Sequence, residues 1–249
     1  MRVHVLTSDS PKAQAGRAQL GILSTPYEEA DVVLALGGDG FMLEVLRTLN
    51  PRNLPIYGMN LGTVGFLMNA FDPANLAGRI GAATAHRIVP LRAVVTHTNG
   101  STSTLLAVNE VSLLRAGPQT AHIRVEVNGV ERIDRLVCDG VLLATPAGST
   151  AYNASAGGPI LPLDSNVLPL SAIAPYRPRR WKGAILPDSA HVVFTALDSV
   201  KRPLMVNADS QSLENVESVA ITSAPDAAHT LLFDPGVGLE ERLIAEQFA

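Results

Sequence analysis

The sequence is poor in the residues on which several protein classes depend. Cys138 is the only cysteine among 249 residues, which excludes an intrachain disulfide and a cysteine-rich zinc site. The lysines are Lys12, Lys182 and Lys201, and none follows a glycine. A Walker A loop, which requires Gly-Lys-Ser/Thr, is therefore absent. The chain has no His-Glu-x-x-His and no Gly-x-Ser-x-Gly, and its six histidines show no ligand spacing. No apolar run reaches the roughly 18 residues of a membrane helix. The opening stretch Met1–Asp9 lacks the long apolar core of a secretory signal, so a soluble cytoplasmic protein is expected. Positive charge is also short. The 19 Lys and Arg stand against 23 Asp and Glu, a net charge of −4. Neither nucleic acid nor an anionic membrane is expected as a partner.

What is present is the composition of a globular protein, 47% hydrophobic and 17% charged. The length predicts one large or two small domains with room for a real core. Over the first 90 residues, short apolar runs alternate with helical patterns. Strands are expected at Val3–Leu6, Asp31–Leu36 and Pro55–Asn60. Helices are expected at Pro11–Leu23, Phe41–Leu49 and Pro73–Thr84. This order implies a parallel sheet with right-handed crossovers. Near Pro90 the rhythm changes. Asn99-Gly100 lies between the runs Leu91–His97 and Thr102–Arg115. Asn128-Gly129 lies between Ile123–Asn128 and Val130–Leu136. Asn-Gly between strand-like runs is a strong hairpin signal. Further runs at 140–145, 191–196, 204–207, 219–223 and 230–233 complete an antiparallel β reading. The expected fold is an α/β domain over 1–90 and a β-rich domain over 91–233. A closing helix at Leu239–Gln247 is expected. Arg177-Pro-Arg-Arg180 reads as a solvated basic loop.

Four stretches could carry chemistry. Gly37-Gly-Asp-Gly40 sits between an apolar strand and a helix, at the strand end where α/β proteins bind ligands. Its glycines permit close approach of phosphate to backbone, and the following helix offers N–H groups. An ordinary tight turn with Asp39 as helix cap fits the same residues. Gly58-Met-Asn-Leu-Gly-Thr-Val-Gly65-Phe66 is a second glycine-rich exit, open to the same two readings. Asn109-Glu110 interrupts an apolar run, which is costly unless the pair is hydrogen-bonded, to the fold or to a ligand. Thr145-Pro-Ala-Gly-Ser-Thr-Ala-Tyr152 crowds hydroxyls after an apolar strand, and Ser149 or Thr150 could cap a short helix over Ala151–Ala156. Cys138 reads as an inert apolar residue.

Together these blocks resemble the ATP-NAD kinase family. The resemblance rests on Gly37-Gly-Asp-Gly40, Asn60-Leu-Gly-Thr-Val-Gly-Phe-Leu67, Asn109-Glu110, Asp139-Gly140, Thr145 through Pro159, and Asp209-Ser-Gln211, in that order. It implies transfer of the terminal phosphoryl group of ATP to the 2′-hydroxyl of the adenosine ribose of NAD, with a divalent metal, usually magnesium, accompanying ATP. The resemblance assigns no residue to that metal. The resemblance further implies that Asp39 accepts the proton and that Gly37, Gly38 and Gly40 approach the ATP phosphates. Asn109 and Glu110 would lie at the NAD adenosine, and Asp139 and Ala151 at the nicotinamide end. Thr150, Tyr152 and Ser155 would line the dinucleotide pocket. Gly40, Phe66, Asn153, Ala154, Ala174 and Gln211 would be further contacts. A homodimer or homotetramer is implied, with Tyr152 reaching a neighbouring subunit's site, and so are a nucleotide-binding first domain, an NAD-binding second domain and a return of 234–249 to the first. Two departures stand out. Val137 lies where the family often carries arginine, and 176–182 does not follow the family's usual segment. A lipid or diacylglycerol-type kinase shares Gly-Gly-Asp-Gly, and a non-catalytic NAD(P)-binding sensor would share the pocket.

Overall fold

A computed structural model describes residues 1–48, 53–62, 65–179 and 181–236. The chain divides into two compact units. Met1–Ile88 joins the segment from Ala227 onward, and Val89–Asp226 forms the second.

In the first unit β1 (Val3–Thr7), β2 (Val32–Gly37) and β3 (Ile56–Asn60) pair in parallel. All six residues of β2 are buried, as a central strand covered on both faces requires. Helix α1 (Pro11–Leu20) starts where Ser10 Oγ accepts the Ala13 N–H at 3.2 Å, with proline at its first position. It stops at Gly21, whose φ of 59° lies in the left-handed region, three residues short of the expected end. Helix α2 (Asp39–Thr48) begins at the glycine loop itself, so Asp39 belongs to its first turn. A short strand, β4 (Asn69–Ala70), pairs β3, and α3 (Leu76–Ala82) covers less than the expected Pro73–Thr84. Residues 84–88 form a strand, β5 (Thr84–Ile88).

The second unit holds two antiparallel sheets. Its strands are β6 (Leu91–His97), β7 (Thr102–Ala107), β8 (Glu110–Arg115), β9 (Ala121–Val127), β10 (Val130–Cys138), β11 (Gly140–Ala144), β12 (Val167–Ile173), β13 (Gly183–Pro187), β14 (Val192–Ala196), β15 (Leu204–Ala208), β16 (Gln211–Leu213) and β17 (Val216–Ser223). One sheet runs β10-β9-β14-β17-β6-β7, the other β13-β12-β11-β8-β15-β16. Inward side chains of both sheets, among them Val95, Val125, Phe194 and Ile221 from the first and Val111, Leu113, Val141 and Val206 from the second, merge into one buried core. Both Asn-Gly hairpins form, with Gly100 at φ 81° and Asn128-Gly129 at 54° and 74°. The run 102–115 is two strands rather than one. At Val108-Asn109 the chain leaves the first sheet, where β7 pairs β6, and enters the second, where β8 lies between β11 and β15.

The antiparallel domain was expected to reach residue 233, but β18 (His229–Phe233) lies in the first unit. It sits between β3, to which it is parallel, and β5, to which it is antiparallel. Asn69 staples it there, donating to Gly58 O at 3.0 Å and Leu232 O at 2.9 Å and accepting from Asp234 N at 2.8 Å. The Tyr57 hydroxyl donates to Asp234 at 2.6 Å, and Arg79 pairs with the same carboxylate. Such buried polar partners hold the returning strand in register, because an unmade bond there would cost about 1–3 kcal/mol. The expected helix Leu239–Gln247 and the return of 237–249 lie outside the described residues.

Candidate active site

In the first unit the two glycine-rich exits meet at Asp39. Its Oδ2 accepts the Phe66 N–H at 2.7 Å and its Oδ1 the Leu67 N–H at 3.0 Å. The carboxylate is thus attached at two points, which fixes its plane and direction. The Leu61 N–H donates to Gly37 O at 2.7 Å, and the Gly62 N–H to Asn60 Oδ1 at 2.9 Å. Gly65 has a specific reason to be glycine. A Cβ there would stand 3.1 Å from Asp39 Oδ1 and 3.2 Å from Asn60 Cγ. Gly37 is buried at the end of β2, while Gly40 faces solvent. The backbone N–H of Phe66, a predicted contact, is committed to Asp39.

In the second unit the corner between β7 and β8 is organised by a carboxylate of the Asp209-Ser-Gln211 block, to which sequence reading gave no role. Asp209 accepts the backbone N–H groups of Val108 at 2.7 Å, Asn109 at 2.9 Å and Glu110 at 3.4 Å. Its own N–H returns a bond to Glu110 O at 3.2 Å, and its φ of 50° is left-handed. Thr145 braces the other side. Its Oγ1 donates to Val108 O at 2.6 Å and its N–H to Asn109 O at 2.9 Å. Gly148 packs so closely there that a Cβ would fall 2.1 Å from the Asn109 carbonyl oxygen.

Glu110 is held by this corner in a mostly dry position. Burial, and then the charge of Asp209, push its carboxyl up from 4.5 to about 7, while a hydrogen bond from the Tyr152 N–H works the other way. Its Oε2 is buried without a hydrogen-bond partner. An unpaired buried acceptor is rare and costly, and its occurrence in a folded chain asks for a ligand or water to satisfy it. The Tyr152 phenol is raised by partial burial and by the charges of Glu110 and Asp139.

The other predicted residues sort into two groups. Thr150, Ala151, Ala154, Asp139 and Gln211 are half-buried and Tyr152, Ser155 and Ala174 are exposed. Asp139 pairs with Arg115 at 2.7 Å, a partner on β8 that sequence reading missed. Residues 173–177 run alongside, with the Asp139 N–H on Ile173 O at 3.0 Å and the Tyr176 N–H on Val137 O at 2.7 Å. Ala174 adopts a left-handed φ of 46°, uncommon for a residue with a Cβ and concentrated at functional sites. Ser149 and Asn153 are fully buried. Ser149 Oγ donates to Pro146 O at 2.6 Å and accepts the Leu161 N–H at 3.0 Å. Neither Ser149 nor Thr150 caps α4 (Tyr152–Ser155), which has no side-chain cap. The Asn153 amide donates to Ser149 O at 3.1 Å and Pro159 O at 2.9 Å and accepts from Ser171 Oγ at 2.7 Å, so its polar atoms are spent within the fold. Burial pushes the Cys138 thiol up to about 12, consistent with an inert residue.

Residues 7–88 match the ATP-NAD kinase N-terminal domain and residues 108–231 the ATP-NAD kinase C-terminal domain. A protein of Cereibacter sphaeroides named NAD kinase is 51% identical over 251 residues, covering 99% of this chain and 98% of its own. The chain belongs to the NAD kinase family. Membership extends over the full length, since NAD kinases of Zymomonas mobilis and Xanthomonas campestris are each 49% identical across 99% and 100% of the chain. The fold is shared with solved family members. An Archaeoglobus fulgidus NAD kinase in complex with ATP superposes with a TM-score of 0.78 at 26% identity, covering 99% of this chain and 98% of that one. A yeast NADH kinase complexed with NADH gives 0.84 at 20% identity, covering 100% of this chain and 87% of that one. The expected α/β domain followed by antiparallel sheets is thus the family's architecture.

Proposed function

We infer that this chain is an NAD kinase, transferring the terminal phosphoryl group of ATP to the 2′-hydroxyl of the adenosine ribose of NAD to give NADP and ADP. Full-length relatedness to NAD kinases, running through every motif quoted above, carries the reading. The orphaned Oε2 of Glu110 supports it, because a vicinal ribose diol supplies the O–H donors which that atom lacks.

In this reading Asn109 and Glu110 hold the adenosine ribose, and Asp139 and Ala151 meet the nicotinamide end. Thr150, Tyr152, Ala154, Ser155, Ala174 and Gln211 line the dinucleotide path. Asn153 supports the wall from behind rather than touching ligand, since its amide is already bonded. The 2′-oxygen attacks the terminal phosphorus, the bond from that phosphorus to the bridging oxygen of ADP breaks, and the hydroxyl proton passes to Asp39. A ribose hydroxyl is a weak nucleophile at neutral pH, and a positioned carboxylate acceptor contributes about 10²–10⁴-fold. The backbone of Gly37, Gly38 and Gly40 and the first turn of α2 receive the phosphates. Among the described residues no group of three or more His, Cys, Asp or Glu could cage a cation. We propose that a divalent ion, magnesium, accompanies ATP. When bound, that ion supplies charge neutralisation on the phosphates.

We further propose a cytoplasmic homodimer or homotetramer in which the exposed Tyr152 ring completes a neighbour's site. Among the described residues no helix is long and apolar enough to cross a membrane. Specific activity should then fall on dilution below the assembly constant, and a fully active monomer by light scattering would refute the shared site. The decisive experiment for the function is direct: purified protein with NAD, ATP and magnesium should form NADP. Absence of NADP under conditions where the protein binds NAD would overturn the kinase reading.

A further inference from the structure

We propose that Asp209 is a positioning residue of the dinucleotide site, holding the Val108–Glu110 corner so that Glu110 presents Oε2 to the ligand. The inference rests on the reading of Glu110 as the ribose acceptor. Its basis is geometric. Three consecutive backbone N–H groups converge on one carboxylate, at 2.7, 2.9 and 3.4 Å. They belong to the three residues over which the chain crosses from one sheet to the other, where neither sheet's ladder serves them all. An amide or hydroxyl side chain cannot replace the carboxylate in full, because it offers fewer acceptor positions in that fork. The bonds also orient the corner's polar side chains. With Val108 and Glu110 backbone fixed, the Glu110 side chain projects from a defined point toward the Tyr152 N–H, which takes one oxygen and leaves the other.

Asp209 acts on Glu110 a second way, through charge. It is the neighbouring charge that most favours a proton on Glu110. The other titratable groups facing this cluster are the Tyr152 phenol and Asp139, and Asp139 is itself paired with Arg115. A ribose hydroxyl bonds more strongly to a carboxylate than to a carboxylic acid. The catalytic efficiency for NAD therefore rises as pH passes through about 7, a limb raised first by burial and then further by the charge of Asp209.

The test is NADP formation with NAD titrated at saturating ATP, from pH 5.5 to 8.5. Wild type is compared with Asp209→Asn, Glu110→Gln and the double variant. Asp209→Asn should raise KM for NAD at least about 10-fold and move the acid limb of kcat/KM to lower pH. Glu110→Gln should lose the limb near 7, and adding Asp209→Asn to it should change KM by less than about 3-fold. An unmoved limb in Asp209→Asn, or effects that multiply in the double variant, overturns the inference. A merely structural role would weaken the protein without moving the limb. Asp209→Ser is carried alongside in case the asparagine variant is not recovered folded. If neither folds, Asp209 is a folding residue and the inference falls. Failure of the kinase reading appears separately, as absent turnover in wild type. Calorimetric binding of NAD across the same pH range then reads the limb without turnover.

Discussion

Glu110→Gln should make the ligand-free protein more stable in alkali while damaging its function. In the folded chain burial and Asp209 raise the Glu110 carboxyl from 4.5 to about 7. A raised acid holds its proton more tightly folded than unfolded. Its favourable contribution is therefore fully present below about 4.5 and is lost as pH rises through about 7. Above that, the folded chain carries a dry, half-partnered charge that the unfolded chain does not. The difference amounts to about 3 kcal/mol, as an upper bound from the tenfold change per pH unit. Glutamine carries no charge at any pH, and its carbonyl can accept the Tyr152 N–H. Its amide N–H₂ inherits the place of the orphaned oxygen, and the protonated glutamate shares that defect at low pH. The melts of the two proteins should coincide within about 2 °C at pH 5. At pH 8.5 the variant should melt about 4–10 °C higher, given about 2–4 °C per kcal/mol for a chain of this size. Scanning calorimetry without ligand over that pH range measures it. Saturating NAD should narrow the gap, because the ribose hydroxyls satisfy the wild-type oxygen. A wild type as stable as the variant at pH 8.5, or a gap that does not depend on pH, would refute the reasoning.

Asp39→Asn should cut turnover at least about 10²-fold without rescue by added magnesium, and cost about 1–3 kcal/mol, because one of two acceptors for Phe66 and Leu67 is lost; NADP formation across a magnesium titration, beside a melt, reads both. Gly148→Ala should abolish NAD binding or folding of the second unit, since the added carbon meets the Asn109 carbonyl oxygen at 2.1 Å, in a corner fixed by Asp209 and Thr145; a variant with normal NAD affinity by calorimetry would contradict it. Asn153→Ala should cost about 2–4 kcal/mol by leaving the Ser149 and Pro159 carbonyls and Ser171 Oγ without their partner, with KM for NAD changed less than about 3-fold in the protein that remains folded; a large KM change at unaltered stability would return Asn153 to the ligand surface.

The architecture was legible where local chemistry dictates it. The apolar run of β2, the proline that opens α1, and the two Asn-Gly hairpins each carry their own signal. Three elements lacked one. Thr84–Ile88 is a mostly exposed strand whose Thr-Ala-His-Arg-Ile shows no apolar alternation. Val167–Ile173 contains Pro169, which argues against a strand, yet that strand lies between β11 and β13. His229–Phe233 looks like any other strand, and only its partner Asn69, some 160 residues earlier, assigns it to the first sheet. The same distinction governs the site. Asn109-Glu110 announced itself as a polar break in an apolar run, and the break is the corner between sheets. Asp209, quoted only as part of a motif, and Arg115 act on residues far away in sequence, with nothing local to mark those roles. Ser149 and Asn153 resemble ligand-facing residues in composition, because a polar side chain that serves a buried carbonyl is chemically the same as one that serves a substrate.

The insertion of β18 between β3 and β5 has a consequence for how the protein is made. Among the described strands, β5 pairs with β18 alone. When Ile88 leaves the ribosome the first unit still lacks the strand that completes its sheet, and the whole second unit is synthesised in between. At about 5–20 residues per second that interval is about 7–30 s. During it the Ile56–Tyr57 end of β3, which β4 does not reach, presents an unpaired parallel edge, the kind of surface on which other chains add. The second unit, continuous from Val89 to Asp226, can close its core during that wait, so the domain that begins first in the sequence is the last to be finished.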